Sequence, residues 1–368
     1  MREVRISIYF MWEWWEKYFH CMFKRPEKAC DDSLEWMYLM RKKFLFENFG
    51  EFGVGEERPV MDGRYVNMVL KWGMDFIPYV LGAKLTCQDV GGYAAEKMDI
   101  ETIKALKPVN VADSPAGEWI IKRKEELIKR YGSADQGMDL EGPTNIAVRI
   151  RGEDFYIDLI EDKGLARHIL DVVTETIISG YLFLGKQFKM DELLIADCNV
   201  TLISPSLYEE IILDYDIKVA NISKVVTGRE KAVRLHHCDV PVDKYIYAYK
   251  KVPEVYKIEA SYTSDIAMVL REMPDACFSA MINPLELMGE SFDVIEQRID
   301  RALEEGAKEL DIWNIDPSID VSKLRKIFSI IQRCCERNNC RALFDCMPFC
   351  WDELEWAFPR YQHQLGHV

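Results

Sequence analysis

The sequence predicts an α/β protein built as a (β/α)8 barrel of the TIM type, and three observations predict it. From about Val66 onward, short apolar runs alternate with long amphipathic helices, which favours a parallel sheet with helical crossovers. Polar residues follow the apolar runs, and the carboxyl ends of the strands are where a closed barrel places its active site. The chain contains neither a GxGxxG nor a GxxxxGK(S/T) loop, which an open doubly wound sheet usually carries.

The segment before about Gly50 is predicted to be helical. Residues 11–23 place aromatic side chains at helical spacing, and Asp31 or Asp32 is a candidate cap for a second helix that ends at Gly50. We expect these aromatic side chains to pack against the main body rather than to form a face for a partner. They include Trp12, Trp15 and Phe19.

The second half of the chain contains the clearest strand and helix units. The predicted strands are residues 193–196, 232–235, 255–260, 277–282 and 309–312, and the predicted helices are residues 206–219, 292–303 and 321–335. Residues after 340 do not fit the repeat, although residues 340–344 are strand-like. We therefore divide the chain into a barrel with N-terminal helices, residues 1–340, and a C-terminal extension, residues 341–368.

Composition and charge exclude some classes of protein. The chain has 368 residues, of which 49% are hydrophobic, and it carries a formal net charge of -15. A nucleic-acid-binding protein needs a basic surface to neutralise phosphates, so we expect no nucleic-acid partner. An apolar content this high is enough for one large buried core.

The cysteines and the N-terminus bear on the compartment. Eleven cysteines at irregular spacing indicate a reducing environment with mostly buried, unpaired thiols, some of which could be ligands. Residues 1–10 alternate charged and apolar side chains, so we expect no signal peptide and a cytoplasmic location. No run approaches the length needed to cross a membrane, and we expect no membrane association.

The sharpest local feature is the sequence LHHCD at residues 235–239. Residues two apart on a strand point to the same side, so His236 and Cys238 are predicted to project together while His237 points away. An imidazole and a thiolate are good zinc ligands. A lone HxC occurs often by chance, and its place at the end of a predicted strand is what makes it a candidate metal site.

Other polar residues at strand ends are candidates for acid–base or binding roles. Asp197 is a candidate catalytic group, or else a cap for the helix at Ser206, and Asn199 follows it. Asp265 is also a candidate catalytic group, or else a cap for the helix that starts at Ile266.

The candidate substrate contacts are Asn199, Tyr262, Asn283 and Arg149. Tyr262 precedes Asp265, and Asn283 faces the same mouth, although a residue before a proline also forms turns. Arg149 and Arg151 alternate with apolar residues on a predicted strand. One of them should point inward, towards a structural aspartate or towards a substrate carboxylate or sulfonate.

Four segments resemble the uroporphyrinogen decarboxylase superfamily. Residues 195–210 resemble its strand-four segment, in which an Asp is followed eight residues later by the Pro of an L-(I/L)-S-P turn. Residues 142–147 resemble its GP-T-LA strand start, and residues 283–285 resemble its GN-DP-L element. Residues 235–238 resemble the LHxCG element of its methylcobamide:coenzyme M methyltransferase branch. The resemblance runs from about Asp75 to Cys335 and implies a barrel, with a zinc at His236 and Cys238 that activates a thiol.

The chain also departs from both branches of the superfamily. It lacks the MRQAGRY motif and the late GHG histidine of the decarboxylases, and Arg149 falls where they carry a Tyr, so decarboxylation is disfavoured. Trp313 falls where the methyltransferase branch has its third zinc ligand, a Cys. Three alternatives remain: Asp316 supplies the ligand, Cys346 or Cys350 supplies it, or the protein holds no catalytic zinc.

The resemblance implies a corrinoid-dependent methyltransferase. The corrinoid would come from a separate corrinoid protein, because the chain has no DxHxxG signature, and the acceptor would be a coenzyme M-like thiol or tetrahydrofolate. A tetrahydrofolate acceptor would need a proton handled, for which Asp197 and Asp265 are the candidates. The alternatives are a lyase of the decarboxylase type and a non-catalytic barrel that binds a corrinoid or a partner protein. The oligomeric state is left open.

Overall fold

The computed structural model describes residues 1–19, 31–60, 72–87, 93–134, 139–238 and 240–346. Its strands are β1 (Arg2–Phe10), β2 (Leu85–Cys87), β3 (Tyr93–Ala95), β4 (Leu193–Ala196), β5 (Val233–His236), β6 (Val255–Ser261), β7 (Cys277–Ile282), β8 (Glu309–Ile315) and β9 (Cys340–Cys346). Its first eight α-helices are α1 (Trp12–Phe19), α2 (Asp31–Phe49), α3 (Phe76–Val80), α4 (Ile100–Ala105), α5 (Pro115–Tyr131), α6 (Pro143–Arg151), α7 (Asp154–Glu161) and α8 (Lys163–Gln187). The other helices are α9 (Pro205–Leu207), α10 (Leu213–Ala220), α11 (Ser223–Thr227), α12 (Ile246–Tyr249), α13 (Ile266–Glu272), α14 (Pro284–Gly289), α15 (Phe292–Glu304) and α16 (Val321–Arg337).

Seven of these strands form one sheet, in the order β4-β5-β6-β7-β8-β1-β9. The pairs β4–β5, β5–β6, β7–β8, β8–β1 and β1–β9 are parallel, whereas β2 and β3 form a separate antiparallel hairpin. Every residue of β4 is buried, as expected for a parallel strand covered by helices. The sheet confirms the α/β prediction.

The chain divides into two compact units. Unit 1 comprises residues 1–61, 260–271 and 277–368, and unit 2 comprises residues 62–259 and 272–276. β4 and β5 lie in unit 2, together with α3 to α12, whereas β1, β7, β8 and β9 lie in unit 1. β6 contains the boundary.

Helix α8 in unit 2 corrects one expectation. By length and composition this helix is long and apolar enough to cross a membrane. The sequence had been expected to contain no such run. Its most apolar window is 61% buried within the protein, as in a core helix of the same composition, so this is weak evidence for a membrane span.

The first residues of unit 1 form strand β1, not the helix predicted there. Val4, Ile6 and Ile8 are fully buried, and this two-residue alternation is the pattern of a strand. β1 pairs in parallel with β8, with Arg5 opposite Glu309, and with β9, with Arg2 opposite Cys340. The sequence of residues 1–10 shows this alternation. The helical prediction was based on the aromatic spacing of residues 11–23 and was extended to the residues before them.

Aromatic side chains of α1 pack inside unit 1, as expected, and the side chain of Trp12 lies outside the described part of the structure. Trp14 and Trp15 are fully buried. The Trp14 ring lies 4.6 Å from that of Phe10 and 4.2 Å from that of Tyr18, and its indole N–H donates to the carbonyl of Ile319 at 2.7 Å. These rings therefore fix α1 to the sheet through packing and one buried hydrogen bond.

The predicted strands and helices of the second half are confirmed to within a few residues. The helix predicted at residues 206–219 is α9 and α10, joined by the π-helical residues Tyr208–Ile212. The domain boundary predicted after residue 340 falls inside β9, which belongs to the main sheet. Residues 347–368 of the predicted extension, including Cys350, lie outside the described residues.

Candidate metal centre

The candidate site lies in unit 2, where β4 and β5 end. The parallel register sets Ala196, the last residue of β4, opposite His236, the last residue of β5. The same register continues beyond the two strands, because the Asp197 N–H donates to the His236 carbonyl at 3.2 Å. Cys198 and Cys238, each two residues beyond its strand, therefore lie side by side with Cα atoms 5.5 Å apart.

Three donor atoms meet at this point. The sulfur atoms of Cys198 and Cys238 and a ring nitrogen of His236 all lie within 4.8 Å of one another. The Nε2 atom of His236 is 3.4 Å from the sulfur of Cys238. Cys238 adopts a left-handed backbone with φ of 48°, so the chain turns sharply just after β5 and carries the thiol towards the histidine.

The His236 ring is oriented from behind by a carboxylate. Its Nδ1 atom lies 2.9 Å from Oε2 of Glu259, whose side chain is 6% exposed. Glu259 lies on β6, directly opposite His236 on β5. Burial raises the pKa of Glu259, but the charges of Arg234 and Lys257 and the bond to His236 outweigh burial and hold that pKa well below its usual value. Glu259 is thus ionised, and the hydrogen-bond network assigns the proton to Nδ1 and the lone pair to Nε2.

Charged side chains hold Glu259 in place. Arg234 contacts Glu259 at 3.2 Å and also Glu192 at 3.0 Å, and Lys257 contacts Glu259 at 2.9 Å. These contacts fix the buried carboxylate in one position, because moving it would break both ion pairs.

The donor set fits zinc. One imidazole and two thiolates are ligands that zinc prefers, and three protein ligands leave one position for an exchangeable group. A carboxylate behind the liganding histidine is the usual arrangement at such sites. The two thiolate charges would also balance a divalent cation. Cys198, His236 and Cys238 are the group within the described part of the chain whose donor atoms lie close enough together to hold one metal ion.

In this structure Cys198 and Cys238 are bonded to each other as a disulfide. This corrects the expectation that the thiols are unpaired, although Cys334, Cys335, Cys340 and Cys346 are buried free thiols as expected. The two sulfur atoms must be reduced before they can bind a metal.

The predicted ligands His236 and Cys238 lie together, and His237 points away. His237 is fully buried, and its Nδ1 atom lies 2.8 Å from the hydroxyl of Tyr249. Burial, with smaller contributions from the charges of His236 and Lys244, lowers the pKa of His237 to about 3, so this ring is neutral.

The third donor is Cys198, which was not among the three alternatives. Asp316 is not part of the group, and its carboxylate accepts the backbone N–H of Ser318 at 2.7 Å. Cys346 is buried at the end of β9. Trp313, at the position of the superfamily's third ligand, packs its ring 4.6 Å from that of Tyr9. The signal for Cys198 was its place two residues beyond a predicted strand, the same offset that Cys238 has from β5.

Asp197 is buried behind the site. It is 2% exposed, and its Oδ1 atom accepts the N–H of Thr144 at 3.1 Å, at the start of α6. It therefore caps α6, while Ser204 caps the helix that begins at Pro205. Asp216 is buried as well, and the Asp197 and Asp216 carboxyl groups are close enough for each to influence the pKa of the other. Burial raises the pKa of Asp197 to about 6 and that of Asp216 well above its usual value.

Arg149 lies on helix α6, which corrects the predicted strand. Gly142 begins this helix tightly against β4: its N–H donates to the Ala196 carbonyl at 2.8 Å, and a Cβ there would lie 2.1 Å from Oδ1 of Asp197. Arg149 contacts Asp75 at 3.3 Å and Glu141 at 3.8 Å, both nearly buried. Arg149 was expected to face either a structural aspartate or an acidic group of the substrate. In the structure its partners are acidic side chains of the protein itself.

Asn199 follows Cys198 directly and is held by polar contacts. Its backbone N–H donates to Oδ1 of Asn145 at 3.0 Å, and its side-chain oxygen accepts the hydroxyl of Tyr156 at 3.2 Å. These bonds fix the backbone that carries Cys198.

Asp265, Tyr262 and Asn283 lie in unit 1. Asp265 is exposed, and its carboxylate accepts the N–H of Met268 at 2.8 Å, so it caps α13 as one of its two interpretations expected. Asn283 caps α14 in a capping box with Glu286. The hydroxyl of fully buried Tyr262 donates to Glu290 at 3.1 Å.

The sequence and the fold place the chain in a known family. The sequence profile described as uroporphyrinogen decarboxylase (URO-D) matches residues 59–321, which is more than half of the chain. The chain belongs to this family of enzymes, as its motifs indicated, and the fold is that of its TIM barrels. No curated protein matches the chain significantly.

Two solved structures are similar to this chain. A methyltransferase from Methanosarcina mazei superposes with a TM-score of 0.58 at 14% identity, covering 90% of this chain and 94% of that chain. It confirms the fold. A match to a hyperthermophilic beta-glucosidase mutant covers 95% of this chain and 90% of that chain at 9% identity, and its TM-score of 0.35 is too low to indicate a shared fold.

Proposed function

We propose that this chain is a methyltransferase that moves a methyl group between a corrinoid held by a partner protein and a thiol acceptor. One observation carries the proposal: a ring nitrogen and two sulfur atoms meet at the ends of β4 and β5, with a carboxylate behind the ring. The family resemblance of the LHxCG element and the fold shared with a methyltransferase support it.

The residues have distinct roles in this proposal. His236 would hold a zinc ion through the Nε2 lone pair, and Cys198 and Cys238 would hold it as thiolates. Glu259 keeps the proton on Nδ1 and so keeps Nε2 available. Bound zinc would lower the pKa of a coordinated acceptor thiol, which is about 8.5 when free, so that the acceptor is a thiolate at neutral pH.

The chemistry needs no acid or base from the protein once the acceptor is a thiolate. The acceptor sulfur would form a bond to the methyl carbon as the cobalt–carbon bond breaks, and the electron pair of that bond would stay on the corrinoid. A tetrahydrofolate acceptor is less well served, because Asp197 is buried against Asp216 and Asp265 is used as a helix cap. The thiol is therefore the acceptor we favour, and a coenzyme M-like compound is the first to test.

The test uses reduced, zinc-loaded protein with methylcobalamin as the methyl donor. We expect demethylation with 2-mercaptoethanesulfonate, followed by the change in the corrinoid spectrum, and loss of the reaction in Cys198→Ser and His236→Ala. Cys277→Ser, changed at the start of β7, is the matched control and should keep full activity.

Three results would count against the proposal. Turnover with tetrahydrofolate alone would change the acceptor. Carbon dioxide released from uroporphyrinogen would indicate the lyase alternative. Binding of methylcobalamin without turnover with either acceptor would indicate a non-catalytic binding barrel.

A further inference from the structure

Two of the three candidate ligands are already bonded to each other. The Cα atoms of Cys198 and Cys238 are 5.5 Å apart, within the ordinary range for a disulfide, and the two residues come from neighbouring strand ends. Both cysteines are only half-buried, so small molecules in solution can reach them. One pair of sulfur atoms is thus placed for two different bonding states.

The two states exclude each other. A sulfur atom binds zinc as a thiolate, and the same atom in a disulfide carries no such charge. Losing both sulfurs would leave His236 as the remaining donor of the group, and one imidazole is too few ligands for a protein zinc site.

We propose that Cys198 and Cys238 form a reversible thiol–disulfide pair whose oxidation by a peroxide or a small disulfide displaces the metal. The site then alternates between a metal-bound dithiolate and a metal-free disulfide. The displacement step rests on the proposed zinc site, whereas formation of the disulfide does not.

The redox step balances with either oxidant. With hydrogen peroxide, one thiolate attacks an oxygen and releases hydroxide, and the second thiolate attacks the resulting sulfenic acid and releases another. The two sulfurs lose two electrons in total, the two hydroxides take up two protons from the solvent to become two waters, and zinc would leave as the divalent cation. With a small disulfide, the first thiolate of the protein forms a mixed disulfide and releases one small thiolate. The second protein thiolate attacks this mixed disulfide and releases the other small thiolate.

Four other described cysteines are poorly placed to compete. Cys334, Cys335, Cys340 and Cys346 are buried. Burial raises the pKa of Cys334 and of Cys335 to about 12, so these thiols remain protonated and react slowly. Among these six thiols, oxidation at low oxidant dose should therefore fall on Cys198 and Cys238, and a Cys277→Ser variant controls for the half-buried thiol of Cys277.

The experiment treats reduced, zinc-loaded full-length protein with one equivalent of hydrogen peroxide in the absence of air. Mass spectrometry of the digest measures linked Cys198 and Cys238 peptides, and a chromogenic chelator measures released zinc. We expect the two quantities to rise in parallel, and a dithiol to reverse both. Cys277→Ser should behave as the wild type, whereas Cys198→Ser should form no such link.

The failures are distinguishable. Linked peptides with zinc retained would overturn the displacement and leave the metal centre standing. Zinc released without linked peptides, or linkage spread over the buried cysteines, would overturn the role of this pair. If the reduced protein binds no zinc at all, the inference is overturned together with the zinc site of the proposed function, even where the link forms.

Discussion

The contact between His236 and Glu259 gives the sharpest quantitative prediction. The Nδ1–Oε2 distance is 2.9 Å, and the Glu259 side chain is 6% exposed, so the hydrogen bond is charged and shielded from water. In Glu259→Gln the charge is lost, and the amide can present its NH2 group to Nδ1. That arrangement favours the proton on Nε2, where the metal should bind.

Glu259→Gln should weaken zinc binding by about 10- to 100-fold, as outer partners of zinc-bound histidines do, which is about 1.4–2.7 kcal/mol. Part of the loss comes from Arg234 and Lys257, which lie 3.2 Å and 2.9 Å from Glu259 and would each lose one ion pair. The assay is a competition titration of reduced protein against a chelator dye of known affinity.

Glu192→Gln is the matched control. It removes a carboxylate that contacts Arg234 at 3.0 Å. We expect its zinc affinity to stay within the error of the titration, and thermal unfolding of both metal-free variants checks that they fold. Equal affinity of Glu259→Gln and wild type would refute the assignment of Nε2 as the metal-facing atom.

Three further predictions concern stability. His237→Gln should remove a pH dependence: the pKa of buried His237 is about 3, whereas that of an unfolded histidine is about 6.5. Between these values the unfolded chain binds the extra proton, so wild type should lose up to about 1.4 kcal/mol per pH unit relative to the variant on acidification, measured by urea unfolding with chelator present; parallel curves would contradict this. Arg149→Met should cost about 2–3 kcal/mol, because it leaves Asp75 and Glu141 without their cation, with Arg149→Lys intermediate; an unchanged denaturation midpoint would show that the ion group contributes nothing. Oxidation of Cys198 and Cys238 closes a loop of 40 residues and should stabilise the metal-free chain by about 4 kcal/mol in the loop-entropy account, an effect that Cys198→Ser must abolish.

The second half of the fold follows closely from the sequence because its signals are local. β4 is an unbroken apolar run ending at Asp197, and the helices after it show strong amphipathic spacing. β1 was missed because its strand alternation is short and precedes an aromatic-rich helix. β9 was assigned to an extension because pairing with β1 joins residues at opposite ends of the chain. Such pairings cannot be read from local pattern.

The candidate site was predictable in part. His236 and Cys238 are close in sequence, so spacing alone brought them together. Cys198 required the register between β4 and β5, which sequence pattern does not give. Predicting the role of Glu259 would have required the register between β5 and β6, in which Glu259 lies opposite His236. Arg149 was placed on a strand because its alternation with apolar residues fits a strand, whereas Gly142 and Pro143 begin a helix there.

The most direct test of the central claim is X-ray absorption spectroscopy at the zinc edge on reduced, zinc-loaded protein. The proposed centre predicts a first shell with two sulfur atoms and one imidazole nitrogen, and one sulfur fewer in Cys198→Ser. A wild-type shell without sulfur, or a Cys198→Ser spectrum identical to that of the wild type, would contradict it.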